Sequence, residues 1–101
     1  MENMQLYAIR RRSAWESPEA VQAAAARSAR VGDDEMADDV RWIRSYVVQD
    51  DDGKLGSVCI YEASSVEKIR EHASRSIMPA TEIFPIAETV IVRADPVLAA
   101  A

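Results

Sequence analysis

Residues 40–73 read VRWIRSYVVQDDDGKLGSVCIYEASSVEKIREHA, a strand, a tight turn, a strand and a capped helix in succession. From Val40 to Gln49, Trp42, Arg44, Tyr46 and Val48 share one face by strict alternation, and Ile43, Ser45 and Val47 share the other. Asp50-Asp51-Asp52-Gly53 is a hairpin turn, because Asp-Gly supplies the positive φ that such turns require. The return strand runs from Lys54 to Glu62, with Val58 and Ile60 alternating with Ser57, Cys59 and Tyr61. Ser64-Ser65-Val66-Glu67 then fits a capping box, with Ser64 as cap and Glu67 reaching back. The helix that follows places Val66, Ile69 and Ala73 on a buried stripe and His72 at its edge.

Working outward, Gln5 to Arg12 alternates as a strand, with Leu6, Ala8 and Arg10 on one side and Tyr7, Ile9 and Arg11 on the other. The consecutive arginines 10–12 read as a solvated strand end, the alternative being an anion-binding rim. Ser17-Pro18-Glu19 opens a helix: Ser17 caps, proline suits the first helical position, and the carboxylate favours the positive end of the dipole. The alanine-rich run continues to Val31, and Gly32 ends or bends it. The acidic residues 33–39 read as a solvated connector, since they lack the spacing of a calcium loop. Beyond the second helix, Met78-Pro79 stops the helix, and Glu88 to Arg93 is the expected last strand.

The order is β-α-β-β-α-β, which predicts an α+β, ferredoxin-like fold: a four-stranded antiparallel sheet with both helices on one face. The other sheet face then carries too much apolar surface for open water, and a second copy covers it, giving a homodimer of the dimeric α+β barrel type. Residues 1–96 are expected to form a single domain and residues 97–101 a loose tail.

Composition narrows the function. The 101 residues are 49% hydrophobic, so the chain is expected to fold. A net charge of −5 argues against nucleic-acid binding, which needs an excess of cations to displace counterions. No apolar run approaches the ~20 residues that span a bilayer. The start MENMQLYAIRRR lacks the order of a signal peptide, so a cytoplasmic location is the expectation. The single cysteine permits no internal disulfide.

The segments Trp42 to Val47 (WIRSYV), Val58 to Ala63 (VCIYEA) and Ile69 to Arg75 (IREHASR), followed by Pro79-Ala80 and Ile83, resemble a family of small bacterial proteins described as nickel-binding or of unknown function. The resemblance covers most of the chain from Leu6 to about Val92 and implies ferredoxin-like homodimers and nickel as the bound metal. The turn DDDGKLG and Ser76-Ile77, where a glycine-containing helix exit is expected, depart from that pattern.

Individual residues supply the candidate chemistry. His72 is the candidate metal ligand or proton-transfer group, since imidazole suits nickel and titrates near neutrality; a hydrogen-bonded structural role is the alternative. Cys59 offers a thiolate or, in a central strand, a small buried hydrophobe. Tyr46 and Tyr61 with Arg44 place phenols and a guanidinium where an enolate or carboxylate can be held, against the alternative of cross-strand packing. Tyr7 and Trp42 complete the candidate ligand-binding set. The chain carries no phosphate loop, nucleophile elbow or zincin motif. A nickel-binding homodimer without turnover is therefore the leading expectation. A small-molecule-binding protein, or a small enzyme of isomerase or cyclase type using a cavity, is the alternative.

Overall fold

The computed structural model describes residues 4–80 and 82–97. Strand β1 spans Gln5–Trp15, helix α1 Pro18–Arg30, strand β2 Val40–Gln49, strand β3 Leu55–Ala63, helix α2 Val66–Arg75 and strand β4 Glu82–Pro85. The strands form one antiparallel sheet in the order β2-β3-β1-β4, as a βαββαβ chain of ferredoxin-like plan requires.

Both helix starts are set by serine. Ser17 Oγ accepts from the Ala20 N–H at 3.2 Å, with Pro18 at the first helical position. In α2 the cap is Ser65, not the expected Ser64: Ser65 Oγ accepts from the Lys68 N–H, while Ser64 Oγ donates to Asp39 Oδ1 at 3.0 Å. A shift of one residue removes Glu67 from the capping-box position. Gly32 does not stop α1; the helix passes into a π-helical turn, Val31–Glu35, closed by the Met36 N–H on Val31 O.

Three strand expectations change. The register of β2 on β3 slips between Trp42 and Arg44, so Ile43 is an extra residue in a β-bulge. Beyond the bulge the alternation inverts: Trp42 and Ser45 share the helix-facing side, while Arg44 and Tyr46 fall on the open side. The second change is in β1, which runs to Trp15 past an irregularity where Ser13 has φ 49° and its N–H bonds Asp50 Oδ2 at 2.7 Å. Gly56 is required there, because a Cβ would stand 2.3 Å from both Arg11 O and Asp50 Oδ2. Finally, the last strand is Glu82–Pro85 and not Glu88–Arg93. It pairs with Tyr7 to Arg10 of β1, and residues 88–93 lie outside the sheet with Val90, Ile91 and Val92 exposed. The expected tail lies outside the described residues beyond Val97.

The core lies between the helices and one sheet face. Tyr7, Ile9, Cys59, Tyr61 and Ala63 from the sheet meet Val31, Met36 and Ile69 from above. Arg11 continues the buried face of β1 and is 1% exposed, which overturns the reading of all three arginines as a solvated strand end.

Candidate functional site

Tyr61 stands at the centre of the helix-facing side. Tyr7, Tyr61 and Trp42 are Cα partners in a row across β1, β3 and β2. The Trp42 and Tyr61 rings stack with centroids 6.1 Å apart and planes within 8°. Tyr61 is 1% exposed, and its hydroxyl shares a 2.8 Å hydrogen bond with Ser28 Oγ of α1. Burial pushes the phenol up to about 12, the Ser28 bond opposing it, so Tyr61 is a neutral hydroxyl at physiological pH.

His72 lies edge-on to Tyr61, with ring centroids 5.1 Å apart. It is 1% exposed, so the expected stripe edge is the buried centre of α2. Its Nε2–H donates to Ser28 O at 3.1 Å, a carbonyl near the end of α1 that also accepts from the Val31 N–H. A carbonyl can only accept, which fixes the proton on Nε2 and leaves the lone pair on Nδ1. Nδ1 is buried without a partner among the described residues. Desolvation lowers the imidazole pKa from its ordinary 6.5, the Ser28 bond opposes this, and the Arg11 charge lowers it further.

Arg11, which the sequence reading treated only as part of a solvated strand end or an anion-binding rim, is buried beside Tyr61. Its Nε–H donates to Pro79 O at 2.6 Å, and its guanidinium carbon lies 6.0 Å from the Tyr61 ring centroid. Both terminal nitrogens, Nη1 and Nη2, are buried without a hydrogen-bond partner among the described residues. Ser76 Oγ, one turn beyond His72, is orphaned in the same way. The signal was present in the alternation of β1, which puts Arg11 on the side of Tyr7 and Ile9.

Beside Tyr61 a cavity of about 60 Å³ opens between α1 and the sheet. Trp15, Trp42, Val21, Ala25, Met78 and Cys59 are among its lining residues, with Ser28 and Ser57. Cys59 is 4% exposed and its Sγ lies 3.2 Å from Ser57 Oγ, so the thiol sits as a small core group.

Arg44 and Tyr46 belong elsewhere. On the open sheet face the Tyr46 hydroxyl donates to Asp95 Oδ2 at 2.6 Å, and Arg44 Nη1 donates to the same oxygen at 3.2 Å. These bonds hold the Asp95 carboxyl below its usual range, with Tyr46 first and Arg44 second. The candidate set therefore divides: Tyr7, Trp42, Cys59, Tyr61 and His72 share the helix-facing side, and Arg44 and Tyr46 do not join them.

The sequence of residues 7–86 matches the family described as Nickel responsive protein SCO4226-like. The chain belongs to that family. No curated protein and no solved structure matches it. Membership raises the question of where nickel fits an SCO4226-like chain. Among the described residues no group of three His, Cys, Asp or Glu side chains is placed to hold a metal ion. His72 offers one buried nitrogen, and the nearby Arg11 guanidinium opposes a cation there. Nickel needs several donors, so the surroundings of His72 in one copy do not fit it. Among the described residues no helix is long and apolar enough to cross a membrane.

Proposed function

We propose that the protein is a small nickel-binding protein of the SCO4226-like family, acting as a homodimer without turnover, with the metal held by donors from more than one copy. Family membership over residues 7–86 carries this reading. The incomplete donor set around His72 directs the metal to other donors, shared between copies. The open sheet face supports the dimer. There residues 86–95 pass from β4, at one edge of the sheet, to Asp95 against β2 at the other, over a groove of about 770 Å³. Val90, Ile91 and Val92, which the sequence marks as a strand, have no ladder partner among the described residues and are 72–80% exposed. A strand edge on a second copy supplies both the ladder and the cover.

Nickel titration of untagged protein, with metal analysis of the dialysed complex, tests this. The expected result is stoichiometric nickel on wild type and on His72→Ala alike, with binding lost when dimerisation is blocked. Loss of nickel in a folded, dimeric His72→Ala variant instead places the metal at the histidine. Absence of nickel from wild type sinks the reading.

One observation favours a second reading, a small-molecule-binding protein. The cavity between α1 and the sheet is lined mainly by apolar side chains, Trp15, Trp42, Val21 and Met78 among them. An isomerase built from Arg44, Tyr46, Tyr61 and His72 is not supported, because those groups stand on opposite sides of the sheet.

A further inference from the structure

We infer that the cavity between α1 and the sheet takes a neutral apolar molecule of a few heavy atoms, a short hydrocarbon or thioether. This rests on the small-molecule reading of that cavity and names its ligand class. Among the described residues no charged side chain lines the cavity. Its polar lining groups bond one another. Ser28 Oγ shares a 2.8 Å hydrogen bond with the Tyr61 hydroxyl, and Trp42 Nε1–H donates to Ser45 Oγ at 2.8 Å. Ser57 Oγ lies 3.2 Å from Cys59 Sγ. A buried water needs roughly two to four polar partners, and a charged ligand needs a counter-charge. These walls suit neither, whereas an apolar guest leaves water favourably.

The bulge in β2 is what keeps charge out of the cavity. Unbroken alternation after Trp42 would put Arg44 and Tyr46 on the helix-facing side. The extra residue at Ile43 places Ser45 and Val47 there instead, and both line the cavity with Trp42. The walls then select within the apolar class. Trp15, Trp42 and Met78 present two indole rings and a thioether, polarizable groups that favour close dispersion contact and sulfur against an aromatic ring. The volume of about 60 Å³ is under half the ~150 Å³ of a cavity that accommodates benzene, so the guest is smaller than an aromatic ring.

Dimethyl sulfide is the probe, with ethanol as a polar molecule of equal heavy-atom count and diisopropyl sulfide as a larger thioether. Both tryptophans of the chain line the cavity, so intrinsic fluorescence reports binding, and the thermal midpoint provides a second readout. The expected result is a saturable fluorescence change and a raised midpoint with dimethyl sulfide, and neither with the other two at the same concentration. Ala25→Leu adds carbons at a lining residue and should weaken dimethyl sulfide at least tenfold. Unchanged binding in a folded Ala25→Leu variant overturns the assignment to this cavity. Should that variant fail to fold, the three probes on wild type still decide. Equal binding of ethanol overturns the apolar class, and equal binding of diisopropyl sulfide overturns the size limit. Either result leaves the small-molecule reading standing. Binding of none of the three overturns both the ligand class and that reading.

Discussion

His72 is held neutral by its burial, and that gives the chain a pH signature. The unfolded imidazole takes up a proton below about pH 6.5, while the native ring, buried and near Arg11, resists until lower pH. The unfolded state therefore binds more protons in that window, and stability falls as pH drops below 6.5. The slope is bounded at about 1.4 kcal/mol per pH unit for one proton. Urea melts between pH 7 and pH 5 should show this decline in wild type and a flatter profile in His72→Gln. The carboxylates with shifted values, among them Asp50, Glu71 and Asp95, are held below their ordinary range and so titrate beneath the window. A wild-type profile as flat as that of the variant would show that the ring is protonated in the native state.

At the scale of elements, the exit from α2 is the least favourable local geometry. Ser76 N–H bonds His72 O, Met78 N–H bonds Ala73 O, and Ile77 occupies the left-handed position between them. This is a Schellman-type exit with isoleucine where glycine is preferred. Ile77 is 74% exposed, so its side chain contributes little packing that substitution would remove. Ile77→Gly should raise unfolding stability by about 1 kcal/mol, the steric cost of the left-handed conformation, as read from urea melts. A destabilised variant would mean that the exposed isoleucine makes contacts in the assembled protein. Ile69, by contrast, is buried in the core beneath α2, and Ile69→Ala should cost roughly 2–5 kcal/mol.

For the whole molecule, the decisive question is what covers the open face. Ile43, Phe84 and residues 90–92 expose hydrocarbon, the kind of surface that a partner commonly covers. Light scattering at micromolar concentration should give twice the 11.2 kDa chain mass. Ile91→Asp places a charge on the exposed run and should shift the mass toward one chain while leaving the circular dichroism unchanged. A wild-type mass of one chain would rule out the proposed dimer.

The order of elements and the alternating faces of β1 and β3 were written in the sequence, because both depend on local periodicity and turn chemistry. Ser17-Pro18 and Asp52-Gly53 act within a few residues of themselves, and the structure keeps them where the sequence puts them. The bulge at Ile43, the choice of Ser65 over Ser64 and the early β4 were settled only by tertiary structure. Each depends on a partner distant in the chain: β3 for the register, Asp39 for Ser64, and β1 for the strand. The same holds for the site. The sequence marked Tyr61 and His72 as chemically capable and put Arg11 on the buried side of its strand. Only the packing of both helices onto that side encloses Arg11, His72 and Ser76 together, because burial and the loss of hydration are properties of the assembled core and not of any one strand or helix.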